Sequence, residues 1–330
     1  MIISRTPFRV SFVGGGTDLR AFCSKEPGRV LSTGIDKYVY VAVKRQSAIV
    51  EFKYRVSWSR IEFRKKIDDI EHPIVREAFR MLDIDFPIEV STFADVPANT
   101  GLGSSSAFAV GLLHALYALK GKMVTKSQLA SQAAHLEIDV LKRPIGAQDH
   151  YAAAYGTLSA YTFLPNGEVE VEPVFCDPRV SERIQGKLML FYTGLTRAAH
   201  EVLKTQAAKT ADKFESLRKM KALVDPLREV LSSGKNDAEF GRILHENWLL
   251  KRGLTKTVST GSIDRYYEDA LRAGATGGKL LGAGGGGFLL FYVEPKKQAA
   301  VEKALKSLYR MPFRFDRHGT RITYYDQAIL

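Results

Sequence analysis

Over the first ninety or so positions, apolar residues alternate with polar ones, and longer helical spacings then take over. Val39, Val41 and Val43 share one face of Tyr38 to Lys44, the period of two that marks a half-buried strand. Arg9 to Val13, the segments near Ile49 to Tyr54 and Trp58 to Phe63, and Ile88 to Thr92 read as further strands. A helix is predicted from Pro73 to Leu82. The polar, glycine-rich stretch Asp95 to Ser106 then leads into a long apolar helix that closes at Lys120-Gly121. Thr125 and Gln128 make a capping box for the next helix, whose apolar stripe is Leu129, Ala133, Leu136 and Val140 and which ends before Pro144.

Strand patterns return near Thr157 to Thr162, Glu168 to Val171 and Lys187 to Tyr192, and the chain reads as helical from about Arg197 to Arg252. The last part predicts a helix (Ile263 to Arg272), a glycine-rich turn, a strand (Phe288 to Val293), a helix (Lys296 to Tyr309) and two short strands. No repeat, low-complexity tract or proline-rich linker interrupts this order, so the domain boundary comes from the change of pattern near residue 180. The expected architecture is α+β, with one domain over 1–180 and a second over 181–330.

With 330 residues the chain is long enough for two such domains. Its longest uncharged apolar run, Ser106 to Leu119, is shorter than the roughly 20 residues of a membrane-spanning helix and contains His114. The N-terminus Met1-Ile2-Ile3-Ser4-Arg5 has no secretion-signal pattern, which predicts a protein that stays in the cytoplasm. Cys23 and Cys176 are the only cysteines and have no zinc or redox spacing, so both read as small hydrophobes. The net charge of +12 favours anionic partners, but its cations are scattered in pairs such as Lys44-Arg45 and Lys142-Arg143. No basic arm points to nucleic acid, and solvated loops account for most of these pairs. Small phosphorylated molecules remain the expected partners.

Gly101-Leu102-Gly103-Ser104-Ser105-Ser106 opens a helix, where unpaired backbone N–H groups and the helix dipole together attract phosphate oxygens. The serine hydroxyls suit phosphate or Mg²⁺, a hard cation that keeps several waters. Taken alone, the segment reads equally as a plain N-cap after a flexible loop. The chain holds neither Gly-Lys-Ser nor Gly-Lys-Thr, and Ser106 stands where Gly-x-Gly-x-x-Gly would end, so neither a Walker loop nor a Rossmann fingerprint is present. Protein-kinase signatures such as His-Arg-Asp and Asp-Phe-Gly are missing as well.

Pro97-Ala98-Asn99-Thr100-Gly101-Leu102-Gly103-Ser104-Ser105-Ser106 resembles the ATP loop of the galactokinase, homoserine kinase, mevalonate kinase and phosphomevalonate kinase superfamily, the GHMP kinases. Two more segments resemble that superfamily's motifs in the same order: Thr6-Pro7-Phe8-Arg9-Val10 through Gly14-Gly15-Gly16-Thr17-Asp18, and Lys279-Leu280-Leu281-Gly282-Ala283-Gly284-Gly285-Gly286-Gly287-Phe288. The opening motif and Pro144-Ile145-Gly146-Ala147-Gln148-Asp149-His150-Tyr151 through Gly156 most resemble D-glycero-D-manno-heptose 7-phosphate kinases, which phosphorylate an anomeric hydroxyl. Gly15-Gly16 stand where galactokinases carry Glu-His, which argues against galactose. The resemblance implies a two-domain GHMP fold, with a ribosomal protein S5 domain 2-like first domain and a ferredoxin-like second one. It also implies ATP and Mg²⁺ as cofactors, and a sugar or sugar phosphate as the partner of a monomer or homodimer.

By the same resemblance, Asp149 is the catalytic aspartate that accepts or orients the acceptor's proton, although the residue alone reads equally as an N-cap. Arg9 is its basic neighbour. Pro97, Asn99, Gly101, Leu102, Gly103, Ser104, Ser105 and Ser106 bind ATP, and Ser105 with Glu137 holds the metal. Helical geometry leaves Asp139 open as an alternative to Glu137, and motif position favours Glu137. Gly15, Gly16, Thr17 and Asp18 face the sugar, while Gly285 and Gly286 of the last motif brace the ATP loop or touch the ligand. Arg197 is the candidate clamp for a phosphate on the acceptor, and also reads as a solvated cation on a helix's first turn. Trp58 reads as an adenine wall or as core. Two competing readings are a kinase of another small sugar such as fucose, and a non-catalytic phosphate- or nucleic-acid-binding protein.

Overall fold

The computed structural model describes residues 1–47, 49–195, 213–255 and 257–326. Arg197 lies outside the described residues, as does the first part of the segment read as helical from residue 197.

Among the described residues, twelve strands form two sheets: β1 (Ile2–Val13), β2 (Gly28–Arg45), β3 (Tyr54–Ser57), β4 (Ile61–Arg64), β5 (Ile88–Ala94), β6 (Ser159–Phe163), β7 (Val169–Pro173), β8 (Leu188–Tyr192), β9 (Ala275–Leu280), β10 (Phe288–Val293), β11 (Tyr309–Arg310) and β12 (Arg321–Tyr325). The first sheet runs β12-β1-β2-β5-β3-β4, with β6 pairing β2 and β7 pairing β6; the second runs β11-β8-β10-β9. β2 is long enough to hold β6 along its first residues and β5 along its last. Val39, Val41 and Val43 are all buried, as their alternation requires. The last strand returns to pair antiparallel with β1, so the chain's end joins the first sheet.

The apolar helix Ser104–Leu119 is buried on almost every side because it packs on β1 and β2 and is covered by the helices Lys126–Ala134 and Gln148–Tyr155. A second apolar cluster, around Trp248, Tyr267 and Phe291, fills the space between the second sheet and its helices. The helix Ala238–Arg252 packs on β9 and reaches β1, bridging the two sheets.

Several expectations shift. The strands expected near 49–54 and 58–63 lie a few residues later, at Tyr54–Ser57 and Ile61–Arg64. Tyr54 is the residue aligned with Ile88 of β5 in a parallel pairing, whereas Ile49 has no partner strand and is exposed. The described part of the segment expected to be helical to Arg252 contains three helices, Phe214–Ala222, Val224–Ser233 and Ala238–Arg252, and the second stops at Gly234 in the left-handed region. The helix Pro295–Ala304 ends before Tyr309, which pairs with Tyr192 as β11. After Ala134 the chain widens into a π-turn, His135–Val140, which carries Val140 out to the surface and breaks the predicted stripe there.

Candidate active site

A cleft of about 1080 Å³ lies where β1, the loop before Ser104 and the loop before Gln148 converge. Two register irregularities in β1, between Pro7 and Arg9 and between Ser11 and Val13, flank Arg9 and Ser11, which line the cleft together with Phe8 of the same strand. Arg9 and Ser11 are two apart and share a face.

Arg9 reaches Asp149 through a fork of two bonds, Nε to Oδ1 at 2.7 Å and Nη2 to Oδ2 at 2.8 Å, and its Nη1 donates to the carbonyl of Gly101 at 2.6 Å. Asp149 therefore does not cap its helix; it sits in the first turn of Gln148–Tyr155 after Ala147. The Gly101 to Ser106 loop adjoins this pair: a Cβ built on Gly103 would come within 3.2 Å of Asp149 Oδ2. Gly103 starts the helix in a left-handed conformation and brings no capping side chain, which leaves the first-turn amides of Ser104, Ser105 and Ser106 without a side-chain acceptor beside the cleft. Asn99, Gly101, Gly103 and the three serines line the cleft. Pro97 and Leu102 shape the loop from behind: the Pro97 carbonyl accepts from Thr100 Oγ1, and the Leu102 carbonyl from Arg9 N.

The π-turn aims Glu137 fully into the interior, where its carboxylate accepts from Ser105 Oγ, Arg143 Nη1 and His150 Nε2, the last at 2.9 Å. Burial alone would raise its pKa; the bond and charge of His150, the charge of Arg143 and the Ser105 bond outweigh that and hold the carboxyl down to about 2. Asp139 faces away and pairs with Arg20 and His135. Geometry therefore separates two acids that spacing left equivalent.

Asp18 is buried at the other end, with Gly16 N and Gln148 Nε2 donating to Oδ1 and Gln148 N to Oδ2. Burial first, then the negative charge of Asp149, pushes its pKa up. Gly15 and Gly16 line the cleft, whereas the Thr17 hydroxyl turns away to the Gly14 and Arg29 carbonyls. Gly285 and Gly286 also stay outside: Gly285 N donates to the Val258 carbonyl, and a Cβ on Gly286 would strike Leu195. Their neighbours do the bracing, because Gly282 packs on Gly101 and Gly287 on Thr100. Trp58 lines the far wall, with its indole N–H donated to Glu62 at 2.9 Å and its edge against His72.

Two lysines that sequence patterning passed over complete the site. Lys279 donates to the Ser11 and Phe12 carbonyls at 2.7 and 2.8 Å, and Lys251 to the Gly282 and Leu280 carbonyls. Burial, then Arg9, lowers the Lys251 pKa to about 8 against the pull of Asp149 and Asp18; burial, then Lys251 and Arg9, holds that of Lys279 well below the usual lysine range. Lys279 opens the last glycine motif, a clue the residue type offered; Lys251 sits in the last turn of its helix, where a cation is ordinary, and offered none. Arg143, read from sequence as a solvated cation, donates to Ser105 Oγ at 2.6 Å.

Comparison with known proteins identifies the family. Residues 73–157 match the GHMP kinases N terminal domain and residues 220–310 the GHMP kinases C terminal model. A D-glycero-alpha-D-manno-heptose 7-phosphate kinase from Campylobacter jejuni is 30% identical over 97% of this chain and 98% of its own length. A mevalonate kinase from Pyrococcus horikoshii is 26% identical over 96% of this chain and 88% of its own. The crystal structure of a D-glycero-D-manno-heptose 1-phosphate kinase from Bacteroides thetaiotaomicron shares the fold with a TM-score of 0.81, at 24% identity over 99% of this chain and 100% of that one. The chain belongs to the GHMP kinase family and is an ATP-dependent phosphotransferase.

Proposed function

We propose that the chain transfers the γ-phosphoryl group of ATP to the anomeric hydroxyl of D-glycero-D-manno-heptose 7-phosphate, giving the 1,7-bisphosphate. The supporting observation is the adjacency of Asp149, clamped by Arg9, to a helix start with free amides, within the same cleft as Asp18. Full-length similarity to a heptose 7-phosphate kinase supports the acceptor.

In this reading the first-turn amides of Ser104 to Ser106 and the Arg9 guanidinium hold phosphate oxygens, since a loose phosphoryl-transfer transition state is stabilised chiefly by positioning and charge. Asp149 accepts the hydrogen bond of the acceptor hydroxyl, aims its oxygen and takes its proton as the new O–P bond forms. Asp18 accepts from other sugar hydroxyls. Trp58 and Phe93 flank the end of the cleft assigned to adenine. Ser105 and Glu137 suit Mg²⁺: both offer hard oxygens, and the Arg143 cation already bridges them. The metal would supply charge neutralisation on the nucleotide's phosphates. Arg197 is our assignment for the acceptor's own phosphate. A cytoplasmic setting accords with the two free, half-buried cysteines.

A coupled ADP-release assay with Mg²⁺ and a panel containing heptose 7-phosphate, fucose, galactose and mevalonate tests the assignment. Turnover concentrated on the heptose phosphate is expected. Preference for fucose would move the chain to another sugar; no stimulation by any acceptor, together with salt-sensitive RNA binding, would remove the sugar-kinase reading.

A further inference from the structure

We propose that Ser11 and Gln148 form a subsite that takes one neutral hydroxyl group of the acceptor, with Gly15 leaving the room for it. The inference rests on the sugar-kinase reading and deepens it.

Ser11 lies two residues beyond Arg9 on the same face of β1, lines the cleft and is 5% exposed. Among the described residues its hydroxyl has no hydrogen-bond partner. Gln148 precedes Asp149. Its amide N–H goes to Asp18 Oδ1 at 2.9 Å, a carboxylate that only accepts, and this fixes the amide's orientation and turns its Oε1 elsewhere. That oxygen is also buried without a partner among the described residues. A Cβ built on Gly15 would lie 3.7 Å from Ser11 Oγ and 3.8 Å from Gln148 Oε1, so the two unpartnered atoms converge on the space over this glycine. The scaffold around them is fixed, because Lys279 holds the Ser11 carbonyl and Gln148 N donates to Asp18.

Buried polar atoms without partners are costly, and two converging inside a ligand cleft point to groups completed by the ligand. The pair specifies its chemistry. An amide oxygen needs a donor and repels an anion, whereas a serine hydroxyl either donates or accepts. A sugar hydroxyl satisfies both at once by donating to Gln148 Oε1 and accepting from Ser11. A phosphate oxygen satisfies only the serine, so the acceptor's phosphate binds elsewhere.

The test takes whichever acceptor the wild-type enzyme turns over in the sugar panel and compares it with its monodeoxy analogues. Ser11→Ala removes a hydroxyl that has no protein partner, so the melting temperature should hold while the KM for the acceptor rises about tenfold and the KM for ATP stays put. For one monodeoxy analogue that penalty should vanish, a coupling that a purely structural effect would not produce. Gly15→Ala meets only contacts of 3.6 Å or more and is not in the left-handed region, so it should fold and raise the acceptor KM further. Wild-type acceptor KM in both variants, or equal penalties with every deoxy analogue, would overturn the subsite while leaving the kinase reading intact. A wild-type enzyme that turns over no sugar would overturn the kinase reading and the subsite with it.

Discussion

Arg9 spends all three of its bonded nitrogens on the site, two on the Asp149 carboxylate and one on the Gly101 carbonyl, so one side chain ties the acid to the phosphate loop. Asp149→Asn keeps the shape but loses the proton acceptor and half of the charged fork. It should lower kcat by roughly 10² to 10⁴ while ATP affinity persists, as steady-state kinetics and nucleotide titration would read. Near-normal turnover would remove Asp149 from the chemistry. At this scale the motifs made Asp149, Arg9 and the serine loop legible, because residue type in a fixed order carries that information. Lys251 was not legible: on a helix a lysine at that spacing reads as a surface cation, and only its burial against the Gly282 carbonyl says otherwise.

At the scale of elements, the last glycine motif serves the phosphate loop from behind. Gly287 is at φ +100, and a Cβ there would sit 2.2 Å from the Thr100 carbonyl oxygen, closer than any rotamer can relieve. Gly287→Ala should therefore destabilise the protein by roughly 2 to 4 kcal/mol and raise the KM for ATP by pushing the loop off its seat. Thermal unfolding and ATP titration would check both effects, and unchanged values would show that the two loops are not coupled. The glycines of this motif were legible, but their division of labour was not, since Gly282 and Gly287 press on the loop while Gly285 and Gly286 face Val258 and Leu195. The π-turn was likewise invisible to a period of 3.6. It adds a residue to the turn that carries Glu137, and this rotation separates Glu137 from Asp139.

Across the whole molecule, two histidines report on packing. Burial lowers the pKa of His72 to about 4, with the charges of Glu62 and Arg143 opposing one another there; burial, then Lys126, does the same for His114. A histidine kept neutral in the folded state protonates in the unfolded chain from its ordinary value of 6.5 downward, so stability falls as pH drops from 6.5 and levels off below about 4. Each should contribute up to roughly 3 kcal/mol of that loss. Denaturant unfolding at pH 7, 5.5 and 4.5 should show it, and His114→Gln, which can keep a bond to Thr320, should flatten the slope; an unchanged slope would clear His114. By itself the sequence determined the α+β plan and the apolar helix after the glycine-serine loop, because periodicity and turn chemistry are local properties, and motif resemblance nominated Asp149 and Arg9. Only tertiary structure decided that β12 closes back on β1, that Lys251 and Lys279 lie beneath the cleft, and that Ser11 and Gln148 meet over Gly15. Those facts join positions more than a hundred residues apart, and the free energy that fixes them comes from burial shared between segments, which no single stretch of chain records.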